Sequence, residues 1–126
     1  MGFFGNKNED KAVNVNIAWI ALEDLEQLNE IKTISNSKLV LIFKHSTSCI
    51  VSRMALKQFE KNYKNNNHTT NYFLDLLSFR DISNAIASTF DVQHQSPQVL
   101  IIDKETCVYK ASHDGIDAET IDNKTF

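Results

Sequence analysis

Proline occurs once in this chain of 126 residues, glycine three times and cysteine twice. A chain this poor in proline and glycine is neither collagen-like nor a low-complexity linker. Two cysteines cannot make the disulfide framework of a small secreted domain. No apolar run is long enough to span a bilayer. Residues 1–10 lack the apolar core of a signal peptide, and Asn6 interrupts the myristoylation pattern. Neither sign of charge dominates: the formal net charge is −3, with acids and bases scattered and no basic stripe for nucleic acid. What remains is 42% hydrophobic with eight phenylalanines, enough for one core. The expectation is a polar tail over 1–12 and a single domain over 13–126. A cytoplasmic, reducing setting is expected, where a cysteine is catalytic, redox-active or simply buried.

The chain is organised around residues 39–52. Leu39 to Phe43 are apolar without interruption, which predicts a strand buried on both faces. A polar turn leads to Cys49, after which Val51, Met54, Ala55, Gln58, Phe59 and Tyr63 recur at helical spacing. Cys49 thus falls where a buried strand hands over to a helix N-terminus. Unpaired amide groups and the helix dipole favour an anion there, and a thiol so placed ionises more readily than free cysteine. The thiolate is the attacking form in disulfide exchange. Ser52 stands where a dithiol oxidoreductase carries its second cysteine, so Cys49-x-x-Ser52 reads as a monothiol form of C-x-x-C.

Period-two alternation over 13–19 predicts a half-buried strand. Leu22, Leu25, Leu28 and Ile31 predict a helix with Glu23, Asp24 and Glu26 near its start. After the strand at 39–44 and the helix at about 50–64, further strands are expected over 72–77, 99–102 and 106–110. A short helix is marked by Ile82, Ala85, Ile86 and Phe90, and a last helix is expected within 113–126. Strands separated by helices imply parallel pairs with crossovers, and the closing hairpin adds an antiparallel strand. The fold class is therefore α/β, a mixed sheet with helices on both faces.

Four separated blocks carry a resemblance: residues 45–52 (HSTSCIVS), Leu74-Asp75-Leu76 followed by Arg80, residues 94–98 (HQSPQ), and Ala111-Ser112-His113. In this order they resemble the YtxJ family, the monothiol bacilliredoxins of the bacillithiol system, over about residues 19–120. Two positions depart from the family pattern: Ile50 stands in place of proline and Gln95 in place of glutamate. The loss of proline removes a fixed φ at the helix start and puts a bulky apolar residue beside the sulfur. The resemblance implies a thioredoxin-like three-layer fold with no resident cofactor and bacillithiol as co-substrate. It implies S-thiolated proteins as partners, and a chain that is a monomer or weak dimer. Cys49 would attack the mixed disulfide, release the protein thiol and remain as a Cys49–bacillithiol disulfide for a second thiol to resolve.

Cys49 is read as the nucleophile rather than a buried small hydrophobe. Ser52 either donates to the thiolate or satisfies backbone groups in the first helical turn. Thr47 and Ser48 are expected to cap the helix. Ser96-Pro97 precedes a buried strand, a position proline tolerates only at its start; the resemblance implies a cis bond facing the cysteine and a substrate-binding role for Ser96 and Pro97. His45 and His94 either tune or protonate a departing thiol, or are ordinary loop residues. Cys107, in the hairpin strand, is expected to pack in the core. Arg80 and His113 are assigned structural anchoring. A binding module that holds an extended peptide beside Pro97 is the second reading. A metal site from Cys49, His45 and His94 is a third, although no close ligand spacing supports it.

Overall fold

In the computed structural model, residues 17–64, 67–124 and 126 are described. The expected tail over 1–12, and the first part of the strand expected over 13–19, lie outside the described residues. Five strands form one sheet: β1 (Trp19–Ala21), β2 (Leu39–His45), β3 (Thr69–Asp75), β4 (Gln98–Asp103) and β5 (Thr106–Ser112). Their spatial order is β1-β3-β2-β4-β5. β1 and β2 each pair parallel with β3, while β4 is antiparallel to both β2 and β5. The helices are α1 (Gln27–Ser35), α2 (Ile50–Asn62), α3 (Arg80–Thr89) and α4 (Ala118–Asp122).

The central strand explains the layers. Side chains alternate across a strand, so Val40 and Ile42 enter one core with Leu28 and Ile31 of α1 and Ile82 and Ile86 of α3. Leu41 and Phe43 enter the other, with Phe59 of α2 and Ile121 of α4. Residues 40 to 43 and 99 to 102 are all fully buried, which accounts for their unbroken apolar runs. This is the expected α/β arrangement with helices on both faces.

Several local expectations are corrected. The antiparallel β2–β4 pair departs from the rule that a helix links parallel strands. A crossover helix produces a parallel pair only if the chain re-enters from the opposite end. Here α3, about 15 Å long at 1.5 Å per residue, is followed by residues 90–97, which run back beside it. His94 lies beside Ser83 in the first turn of α3 (Nδ1–Oγ 3.3 Å), so β4 starts at the end of the sheet where β3 stopped. The helix expected from Leu22 begins at Gln27 instead. The Gln27 side chain accepts from the amides of Glu23 and Asp24 and donates to the Ala21 carbonyl, which fixes residues 22–26 as a turn. β3 lies earlier than expected, and the last helix is short, preceded by a 3₁₀ turn at His113–Gly115.

The inward face of α2 also differs from the expected stripe. Val51 and Met54 are exposed, and Ser52, Phe59 and Tyr63 are the buried positions. Ser52 can be buried because its hydroxyl is fully used, as described below. Val51 and Met54 instead line an open groove of about 390 Å³ against His113 and Ile116.

The β4–β5 turn has positive φ at both central residues, Lys104 (49°) and Glu105 (67°), positions where glycine or asparagine is usual. The C-terminal end of α1 holds them: the Lys104 amide donates to the Ser35 carbonyl (2.8 Å) and the Glu105 amide to Ser35 Oγ (2.9 Å). A left-handed conformation costs a non-glycine residue about 1–2 kcal/mol, partly offset by the entropy glycine loses on folding. Lys104→Gly is therefore expected to stabilise the fold by about 0.5–1 kcal/mol in urea denaturation; a loss of stability would contradict the account of this turn.

Candidate functional site

The site is built at the end of the sheet where β2 and β3 finish and β4 begins. Register places Lys44 opposite Gln98 and opposite Leu74, and His45 opposite Asp75. The next residue outward from Gln98 is Pro97, joined to Ser96 by a cis peptide bond. The Leu76 amide donates to the His45 carbonyl (3.0 Å), and the His113 amide to the Pro97 carbonyl (3.0 Å). Four segments thus converge: the Cys49 turn, the entry to α3, the Ser96–Pro97 bend and the start of the 3₁₀ turn.

Cys49 is the N-cap of α2, with extended backbone (φ −105°, ψ 124°), and is half-buried. Its amide donates to the Ser46 carbonyl (3.2 Å), and its own carbonyl accepts from Arg53 (3.0 Å). α2 has no side-chain cap and no acid in its first turn, so nothing there offsets the positive end of its dipole. This corrects the expectation for Thr47 and Ser48. They precede the N-cap and are exposed, with no capping bond to α2, because the cysteine itself occupies the cap position.

Ser52 is fully buried and turns inward. Its Oγ accepts from the Ser46 amide (2.9 Å) and bonds His45 Nδ1 at 2.8 Å. Of the two expected roles, the geometry shows the backbone one. If His45 Nδ1 carries no proton, Ser52 donates to it and has nothing for a sulfur. Only with the proton on Nδ1 is the Ser52 hydroxyl hydrogen free to turn elsewhere. His45 is itself buried and packs on Phe73 at 5.4 Å between ring centroids. Burial pushes its pKa below the ordinary histidine value; the Asp75 charge opposes that shift and Arg53 adds to it.

Lys44 is the residue the sequence reading missed. It sits on the α3 side of the sheet, only 1% exposed, and burial pushes its pKa from 10.5 down to about 8. Its Nζ lies 2.8 Å from His94 Nδ1 and donates to Gln98 Oε1 at 3.2 Å. Among the described residues no carboxylate lies within ion-pairing distance of it. The signal was present: a lysine directly after five apolar residues of a central strand cannot reach water easily. His94 is exposed overall, but its Nδ1 edge is turned inward. Desolvation, then the charges of Lys44 and Arg80, hold its pKa below the usual value.

The remaining candidates separate. Ser96 Oγ is buried without a hydrogen-bond partner, as is Asp75 Oδ1, while Asp75 Oδ2 accepts from Ser78 (3.0 Å). Cys107 is opposite Ile102, at the other end of β4 from the residue that follows Pro97. Its thiol bonds the Tyr109 carbonyl, and burial pushes its pKa up. It packs against the core as expected and is not placed to meet Cys49. Among the described residues no three His, Cys, Asp or Glu side chains come together as a metal site. No helix among them is long and apolar enough to cross a membrane.

Two stability measurements check this geometry. Ser52→Ala would orphan the Ser46 amide and His45 Nδ1, both buried, and is expected to cost about 2–3 kcal/mol; an unchanged urea midpoint would contradict the assignment. Lys44 is charged in folded and unfolded chains below about pH 8, so the burial cost is then felt in full. That cost corresponds to about 3 kcal/mol, part of which its hydrogen bonds return. Lys44→Met is expected to stabilise the protein at pH 7 by about 1–2 kcal/mol. The gain should shrink as pH rises from about 8 towards 10.5, where the folded wild type sheds the proton before the unfolded chain does. A pH-independent gain, or a loss, would contradict it.

Comparison with known proteins agrees with the geometry. A protein of thioredoxin fold, proposed to be an oxidoreductase, superposes with a TM-score of 0.72 at 28% identity, covering 82% of this chain and 90% of that one. The thioredoxins of Malassezia sympodialis (TM-score 0.64, 16% identity, 90% and 93% covered) and Trypanosoma brucei brucei (0.61, 16%, 90% and 91%) share the fold. The sequence model of the family Monothiol bacilliredoxin BrxC matches residues 20–121. With the thioredoxin fold, one half-buried cysteine at the helix mouth and serine three residues on, the chain belongs to the monothiol bacilliredoxin family, proteins of thiol redox function.

Proposed function

We propose that this protein removes a low-molecular-weight thiol, bacillithiol by its family, from mixed disulfides on other proteins. The observation that supports this most is the isolation of Cys49. It caps α2 and is only partly buried, position 52 is a serine, and the second cysteine lies in β5, opposite the far end of β4. A single thiol so placed cannot close an internal disulfide with a neighbour, so its oxidised intermediate is a mixed disulfide with another molecule.

In the first step the Cys49 thiolate attacks the sulfur of the low-molecular-weight thiol. A new S–S bond forms, the old one breaks, and the protein substrate leaves as a thiol. Cys49 then carries the small thiol until a second thiol attacks it. The dipole of the 13-residue helix α2 stabilises the anion that attacks and re-forms. The cis Ser96–Pro97 bend lies beside the end of β2; Ser96 and Pro97 are proposed to hold the substrate chain there. A reducing compartment such as the cytoplasm is the setting this chemistry requires.

The test is mass spectrometry of the reduced protein after incubation with a protein carrying bacillithiol in mixed disulfide. The expected product is a single bacillithiol adduct on Cys49, absent in Cys49→Ser, with release of the substrate thiol. No adduct, under conditions where a glutaredoxin-like protein reacts with a comparable mixed disulfide, would overturn the reading. Retention of an extended peptide without exchange would favour a binding module instead.

A further inference from the structure

Exchange at Cys49 leaves a problem at the other sulfur. The departing group is a protein thiolate, and an alkyl thiolate with the pKa of free cysteine, about 8.5, leaves more slowly than a more acidic one, so a proton delivered as the bond breaks speeds its release. The site end of the sheet holds a proton source that no step so far uses. We propose that Lys44 and His94 act as a relay that delivers a proton to the departing thiolate, with His94 as the donor and Lys44 as the residue that positions and reloads it.

The argument rests on geometry. Lys44 Nζ is buried and 2.8 Å from His94 Nδ1. A protonated lysine has donors only, so Nδ1 must accept and the imidazole proton must sit on Nε2. His94 belongs to the exposed stretch just before the Ser96–Pro97 bend. With Nδ1 committed inward, Nε2–H is the ring's remaining polar group. Gln98 Oε1 accepts a second Lys44 proton, and Gln98 Nε2 donates to the Gln93 carbonyl (3.2 Å), so the ammonium is aimed rather than free to rotate. Ser83 Oγ, 3.3 Å from Nδ1, holds the ring from the α3 side. The charged groups the pair faces are each other and Arg80 at the start of α3. A buried lysine with no carboxylate partner among the described residues is costly to the fold, and burial brings it to about 8, near the acidity of the thiol it would serve.

The step balances. The Cys49 thiolate supplies the electron pair of the new S–S bond and is oxidised to the mixed disulfide. The old S–S bond breaks with its pair on the departing sulfur, which is reduced. That sulfur takes the proton from His94 Nε2 as Lys44 Nζ passes one to Nδ1. The pair is left neutral, with lysine as the amine. A proton from water at the exposed edge of the ring reverses the relay.

This inference rests on exchange at Cys49, and the experiment separates the two. A series of mixed disulfides is prepared in which bacillithiol is constant and the departing thiol is stepped from an acidic aryl thiol to an alkyl thiol. Release of the departing thiol is followed for wild type, Lys44→Met, His94→Gln and the double variant. For the alkyl thiol, Lys44→Met and His94→Gln are each expected to be slower by about a hundredfold, the scale of a lost general acid. The loss should shrink steadily as the departing thiol becomes more acidic, since an acidic thiolate leaves without help. The double variant should be no slower than either single one, because the two act as one unit. Lys44→Met is expected to fold, and His94→Gln, at an exposed position, tests the relay independently of any change in the core. Equal slowing for every departing thiol, or none, overturns the relay while leaving exchange intact. Failure of wild type to react with any member overturns the exchange reading, and the relay with it.

Discussion

Ser52 Oγ holds the end of the central strand against the first turn of α2. Through one buried hydroxyl, the Ser46 amide and the His45 ring are tied to the helix that Cys49 caps. The turn from 46 to 48 contains neither glycine nor proline, so its shape is not set by backbone restriction. It is set by three polar groups that have no water to turn to. A buried amide without a partner costs about 1–3 kcal/mol, and that penalty makes this geometry better than its alternatives. The partly buried position of Cys49 at the positive end of α2 follows from it. A second cysteine at position 52 would replace this tie with chemistry; a serine keeps the tie and leaves a single thiol at the mouth of α2.

The same end of the sheet carries an electrostatic burden that the core does not need. Lys44 could be apolar like the five residues before it, and its ammonium instead rests on two neutral acceptors. His45 and His94, one on each side of the strand's end, are both held towards their neutral forms by burial. Stability is given up locally while both cores remain wholly apolar at their centres, from Val40 to Phe43 and from Val99 to Ile102. Cys107 shows the contrast. Packed against the core at the far end of the hairpin and raised in pKa by burial, it is a cysteine without a reactive setting.

Much of this was legible in the sequence. The unbroken run from Leu39 to Phe43 gave a strand buried on both faces, and the change of period after Cys49 gave the helix it caps. The family blocks led correctly to a thioredoxin-like fold and a monothiol bacilliredoxin. What failed were features decided by side chains reaching across the fold. Gln27 pins the turn ahead of α1, so the leucine period overran the helix start. The apolar pair Val51 and Met54 suggested the inward face of α2, yet Ser52 took it because its hydroxyl had two partners waiting. The antiparallel entry of β4 depends on residues 90–97 running back along α3, which no local period encodes. Lys44 was passed over as the end of a strand, because its significance lies in His94 and Gln98, about fifty residues later in the chain.

The central claim is that the fold makes one of two cysteines reactive by position alone. The most direct measurement is the alkylation of both thiols, resolved by peptide mass spectrometry, in the folded protein and in urea. The account predicts that Cys49 is labelled to completion before Cys107 in the folded protein, and that the difference disappears on unfolding. Equal labelling of the folded protein, or Cys107 reacting first, would contradict it.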